Sequence, residues 1–353
     1  MPIADAYLKE LNALITRHDR WHGRSAEDDP PVEGAEARIR TGWRAHEKAF
    51  RAGLRDATPR GRELWELAAA YVAAAMPVEQ RDLYEQAAFY AACTQTSGDE
   101  HPVEADFGRR WIQAGGVEYA TEVGLLARKV ICVNVDAWDA LALIETDESA
   151  ALHGQDYGHK VLLWLRVPLA AASEAERARL RGLFEPRVEA MTPLALAALA
   201  FGYSHAGWAR RAAERILADT SDDGWELPLY LLDVLDDGEL VRKLALREGS
   251  GFQYHGASCL ARAALRLPAA PIARLLVDIF EASLMPRSPW KVSSVKPFLK
   301  LACCIDDPAL ARFFATHAVD KKFADASARY ATRFGQATVD RTGVRSTRRV
   351  RNT

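Results

Sequence analysis

The chain has 353 residues, 49% of them hydrophobic, enough for one extended core or two ordinary ones. Its 46 basic and 48 acidic residues leave a formal charge of -2, so no whole-chain field favours nucleic acid or an anionic membrane, and only a local patch stays open. No apolar run reaches the roughly 18 residues of a membrane span, and MPIADAYLKELNALITRHDR lacks a cationic start ahead of an apolar signal core. The expectation is a cytoplasmic protein with no membrane role.

In chain order, Tyr7, Leu8, Leu11, Leu14 and Ile15 make an amphipathic helical face, and HGRSAEDDPPVEGAE (22–36) reads as an exposed, mobile loop. RELWELAAAYVAAAM places Leu64, Leu67, Ala68 and Tyr71 on one face. VEQRDLYEQAAFYAAC follows as a second helix, with Pro77 between the two. Glu63 and Glu66 stand three apart as in carboxylate bundles. Yet Ala88, not His, follows Glu85 by three, so these read as surface carboxylates. TQTSGDEHP (94–102) marks a boundary that closes an N-terminal helical bundle over residues 1–100.

RRWIQAGGVEYATEVGLLARKV (109–130) raises the question of a phosphate loop. A dinucleotide fingerprint needs GxGxxG after a strand, and here Gly115-Gly116 follows a helical FGRRWIQA. Helix–turn–helix is the reading, with Gly115 as the left-handed terminator and Gly116 relaxing the bend. KVICVNV (129–135) is the best strand candidate, but a lone strand would have no partner, so the chain reads as all-α.

HGQDYGHK (153–160) offers His153, Asp156 and His159 as donors for a metal hydrolase. Gly154 and Gly158 weaken the helix they need, and a polar start to the buried helix VLLWL explains the stretch as well. No cofactor is expected. Cys93, Cys132, Cys259, Cys303 and Cys304 form no CxxC pair and read as small core residues. Trp65, Trp111 and Trp164 lie on apolar faces and belong to the core; Trp225 and Trp290, each opening a helix pair, are candidate binding residues.

From 191 the chain repeats in helix pairs, at 191–219, 225–248, 254–283 and 290–318, beginning about 29–36 residues apart. That spacing suits two short helices and two turns, the unit of an α-solenoid. The expected architecture is an α-α superhelix of HEAT-like hairpins over 103–335, followed by a basic, disordered tail at 336–353. Beyond Asp340 that tail has five arginines and no acid.

Trp111 with AGGVEYATEVGLLAR resembles the helical region of bacterial MolR-type proteins, which often follow a WGR domain. Their stretches take the form hydrophobic-x-x-GGxxxAxxxxxxA and lead into degenerate HEAT-like pairs. KKFADASARYATRFGQATVD (321–340) is similar to their recurring helix end, with Gly335 where proline is usual. The resemblance spans about 100–340 and implies a helical-repeat fold; neither a WGR domain nor the family's C-terminal block is present. WARRAA, from Trp208, is similar to a helix of HEAT-like DNA alkylation-repair glycosylases. That likeness implies Trp208 stacking on a base and Arg210 and Arg211 meeting phosphates, in a groove shared with Arg242, Lys243 and Arg262. The leading expectation is a non-enzymatic repeat protein that presents a concave surface to a protein partner, regulatory or immunity-type. The alternative is a nucleic-acid-binding or glycosylase-like protein. In GYSHAG (202–207), Ser204 beside His205 lacks a nucleophile elbow and reads as the turn between two helices.

Overall fold

The computed structural model describes residues 33–73, 82–94, 104–136, 140–145, 159–219, 229–247, 250–285, 290 and 292–335. These are predominantly helical, with one two-stranded sheet. They form two compact units, divided between Val234 and Leu235.

The first unit begins with α1 (Ala35–Gly53), α2 (Pro59–Ala73), α3 (Leu83–Thr94) and α4 (Glu104–Ala127). Ala35 and Glu36, expected in a loop, already belong to α1. Aromatic side chains hold these helices together in an unbroken series. Trp43 stacks on Trp65 at 4.7 Å and meets Phe89, and Phe107 reaches Phe89, Tyr90 and Trp111 at 5.1–5.7 Å. Each such pair adds about 0.5–1.5 kcal/mol beyond its buried area. The series crosses from α3 to α4, so the helices before and after residue 100 share aromatic contacts. Trp111 also donates its indole N–H to Gln86 at 3.0 Å, and Arg38 on α1 clasps buried Asp106 on α4 with bonds of 2.6 and 2.7 Å.

Inside α4 the Gly-Gly pair is a corner between two helical stretches, as expected, but the roles of the glycines are exchanged. Gly116 takes the positive φ of 76°, whereas Gly115 has φ -151°. Only Gly116 therefore needs the conformational freedom of a residue without Cβ.

The described residues are predominantly helical, as expected, with one small sheet beside the helices. KVICVNV does form a strand, β1 (Val130–Asp136), and its partner is β2 (Ala140–Glu145), antiparallel with Ile131 opposite Ile144 and Cys132 opposite Leu143. ALALIE has the composition of a helix former, which hid it from propensity alone. Packing decides its state: at Gly53 and Gly61 any Cβ would overlap the carbonyl oxygens of Leu141 and Leu143. Two glycines thus let α1 and α2 approach the backbone of β2.

The unit continues with α5 (His159–Trp164), α6 (Arg166–Ala171), α7 (Glu174–Phe184), α8 (Pro193–Gly202) and α9 (Ala206–Ala218), and with single 3₁₀ turns at Glu185–Ala190 and Leu229–Asp233. Local capping explains these boundaries. Ser173 accepts from the Glu176 amide, and Thr192, followed by Pro193, accepts from the Ala195 amide. The 191–219 pair is present as α8 and α9. In the first member of the 225–248 pair, where an α-helix was expected, the described residues Leu229–Asp233 form a 3₁₀ turn.

The second unit contains α10 (Gly238–Arg247), α11 (Ser250–Arg266), α12 (Ala269–Leu284), α13 (Val292–Ala302), α14 (Pro308–Thr316) and α15 (Ala324–Phe334). Its core includes Phe252, Phe280, Phe298 and Phe323, all fully buried. All five cysteines are buried, as their reading as core residues requires, and burial pushes the Cys93 and Cys132 thiols well up. Among the described residues no helix is long and apolar enough to cross a membrane.

Candidate functional site

Two places stand out, one polar and one apolar. The polar one is the turn Tyr203–Ser204–His205 between α8 and α9. Ser204 has φ 49°, the only positive φ of a non-glycine among the described residues. Its cause is a helix terminus: the His205 amide bonds back to the Ala200 carbonyl and the Ser204 amide to Phe201, at 2.9 and 3.0 Å. This is the Schellman pattern, with serine where glycine is usual. His205 Nδ1 then accepts the Trp208 amide at 3.1 Å and caps α9. Trp208, fully buried, donates its indole N–H to Glu185, and Glu185 pairs with Arg211 at 2.7 Å. The Trp208 bond, with Arg211 behind it, holds the Glu185 carboxyl below its usual range. Burial, with Arg181 and Arg211, lowers the His205 pKa against the opposing pull of Glu185. The polar atoms here are spent on joining helices.

That geometry corrects the stacking role expected of Trp208, because a fully buried indole offers no face to a base or a partner. Arg211 answers Glu185 and Glu189, while Arg210 is exposed on the same helix. Of the expected basic groove, Arg242 pairs with Asp278 at 2.7 Å and Arg262 is half-buried, with burial holding it below its ordinary range. Trp290 is half-buried, its ring set against Phe252 and Phe298. His153, Asp156 and Trp225 lie outside the described residues. His159 opens α5, its side chain outside the described set. Among the described residues no group of His, Cys, Asp and Glu could hold a metal ion.

The apolar place is a groove between α14 and α15. Asp307 caps α14 through the Ala309 amide at 2.8 Å, with Pro308 at its first position. The chain reverses, and Tyr330 on α15 fastens the pair: its hydroxyl donates to the Asp307 carbonyl and accepts from the Asp307 amide, at 3.0 and 3.1 Å. Arg333 donates to the Cys303 carbonyl at 2.9 Å. The facing side chains of the two helices leave a space between them. Ala311, Ala315 and Ala318 recur at i, i+4 and i+7 on one side, and Ala324, Ala328 and Ala331 at the same spacing on the other. Methyl groups leave a space of about 290 Å³, floored by buried Phe314 and Tyr330 and ending at Gly335.

Ser327 also lines the groove. It is 6% exposed, and its hydroxyl has no hydrogen-bond partner among the described residues. Val319, beside Ala318, is 96% exposed. Sequence reasoning missed this groove because an alanine stripe on an amphipathic helix has the same pattern as core. Only the distance to the facing helix tells them apart. Comparison with protein-family models, curated proteins and solved structures finds no match.

Proposed function

We propose that the protein is a helical-repeat interaction protein whose second unit receives a helical segment of a protein partner in the α14–α15 groove. The carrying observation is the groove itself: a space of about 290 Å³ walled by six alanines, with a buried unsatisfied hydroxyl. Its apolar walls suit the side chains of an amphipathic helix laid along them, as in other helix-in-groove recognition. A HEAT-like stacking of 238–334 is part of this reading. Supporting it, helices two apart in sequence pack together: α10 on α12 through Arg242 and Asp278, α11 on α13 through Phe252 and Phe298, and α12 on α14 through Phe280 and Phe313.

The test is selection of a displayed library of amphipathic helices against the full chain, followed by binding to Ala328→Trp. Indole at that position fills the groove. Enriched peptides should bind the parent and lose at least about tenfold in affinity for the variant, a difference of about 1.4 kcal/mol. Equal binding to both proteins would place recognition elsewhere and end this reading.

A further inference from the structure

The chain as a whole is close to neutral, but α1 and the turn after it are not. Residues 35–55 contain six basic and two acidic residues, a surplus of four positive charges in a protein whose total is -2. Arg40, Arg44, Lys48, Arg51 and Arg55 recur at i, i+4, i+8, i+11 and i+15, the spacing of a single helical face, and all five are exposed. The other side of the helix fixes it to the core: Ile39, Trp43 and Phe50 are buried, and Arg38 clasps Asp106. At 1.5 Å per residue the cations form a column about 22 Å long, with neighbours about 4.5–6 Å apart. Ala37, Thr41, Ala45 and Ala52, all exposed, adjoin it, so small side chains stand beside the charges. Glu36 bonds Arg40 and Arg110 at 3.0 and 2.6 Å, Glu47 bonds Arg51 at 2.7 Å, and Asp56 lies 3.6 Å from Arg55. Exposed pairs of this kind are weak and give way to a better anion. Arg44 and Lys48, in the middle of the column, have no ion pair among the described residues.

We infer that this column binds the phosphate backbone of a nucleic-acid duplex without reading its sequence. One strand of a duplex presents a phosphate about every 3.4 Å along its axis, so the column spans about six of them. The surface involves none of the arginines that the sequence suggested for such a role, and it does not rest on the α14–α15 groove. The side chains around the charges select this ligand among polyanions. A single strand is held by bases stacked on aromatic rings, and the rings of α1, Trp43 and Phe50, are buried at 5% and 1% exposure. A membrane-surface helix pairs its cations with exposed apolar residues that enter the lipid. On α1 no large hydrophobic side chain is exposed. A protein partner would need the same apolar anchors at the centre of its interface. What remains is charge at regular spacing on a rigid rod, which suits positioning contacts to phosphates and carries no base readout.

The experiment uses the full chain and fluorescence anisotropy at several salt concentrations. The probes are two DNA duplexes of unrelated sequence, one of their single strands, a polyglutamate peptide and phosphatidylserine vesicles. The proteins are the parent, a column variant with Arg44, Lys48 and Arg51 all changed to Gln, and a control with exposed Lys296, Lys300 and Lys321 all changed to Gln. Both variants lose the same charge, and Lys48→Glu alone replaces the column variant if that protein loses its cooperative melting transition. The two duplexes should bind the parent within about threefold of each other, with dissociation constants in the micromolar range. The column variant should bind at least about tenfold more weakly, and the slope of log affinity against log salt should fall by about three. The control should stay within about threefold of the parent, and Arg44→Lys, which keeps a point charge for the phosphate, should do the same.

Duplex binding that survives the column substitutions, or that falls equally in the control, would show that α1 is not the contact surface and overturn the inference. So would the absence of duplex binding at low salt. Single strand, polyglutamate or vesicles held more tightly than duplex, and lost in the column variant, would give the column to that ligand instead. None of these outcomes touches the groove, whose own test is peptide binding to Ala328→Trp.

Discussion

The turn at Ser204–His205 and the groove between α14 and α15 are both built from a helix hairpin, yet they resolve the same problem in opposite ways. At the turn, bulky and polar side chains fill the space between helices: buried Trp208 bonds Glu185, Glu185 bonds Arg211, and His205 caps α9. At the groove, small side chains leave the space open, and Tyr330 on Asp307 fastens one end of the pair while Arg333 ties α15 to Cys303 just after α13. The lesson concerns perturbed and strained groups. A positive φ, a lowered histidine and a lowered carboxylate cluster at the turn, the usual signature of a site. Here each has a partner that explains it as architecture. The groove has no strained backbone and no lowered group, only the Tyr330 phenol raised by burial, and its distinguishing features are volume and one unsatisfied hydroxyl.

This contrast predicts where substitutions cost stability and where they cost binding. Trp208→Ala should have the largest effect, about 4 kcal/mol in urea unfolding, because it opens a cavity and strips Glu185 of its indole partner. A loss under about 1 kcal/mol would show that the turn is not a structural joint. Gly53→Ala should cost about 3 kcal/mol, since its methyl meets the Leu141 carbonyl and pushes α1 off the hairpin. Melting temperature reads that loss, and an unchanged value would mean that the sheet does not need this approach.

Ser204→Gly should raise stability by about 1 kcal/mol by relieving the left-handed serine at the end of α8. A destabilised variant would show that the side chain of Ser204 earns its place in some other way. The His205 contribution has a defined sign. Its neutral Nδ1 accepts the Trp208 amide, and protonation sets N–H against N–H. With the folded pKa below the ordinary value of about 6.5, its stabilisation is complete above that pH and is lost as pH falls through the folded value. His46, lowered by burial, contributes in the same direction. His205→Asn keeps a capping acceptor and removes one titrating group. Its unfolding free energy should decline less between pH 7 and pH 5 than the parent's, by up to about 1 kcal/mol. An identical decline would sink this assignment. Ala328→Trp should be the mildest of all for stability, less than about 1 kcal/mol, because the site is exposed. A cost above about 3 kcal/mol would mean that the groove walls are core.

Much of the local structure was legible from residue order. Pro193 and Pro308 stand at helix starts, Gly115-Gly116 is a corner, the cysteines are buried, and Trp65, Trp111 and Trp164 lie in the interior. These are decided by short-range physics: a missing N–H, a missing Cβ, or an apolar stripe at helical spacing. The sequence reading went astray where distant contacts outvote local preference. ALALIE is a strand because β1 lies beside it and two glycines let helices rest on it. Trp208 is a joint because Glu185, twenty-three residues earlier, folds back to meet its indole.

Sequence alone determined most of the helical elements and the amphipathic faces they would bury, because caps and periodicity act within a few residues. Tertiary structure decided which faces found a partner. Alanines at i, i+4 and i+7 pack as core where a neighbouring helix lies close and line an open groove where it stands off. The α14–α15 pair is fastened by Tyr330 on Asp307, a bond made across 23 residues of chain.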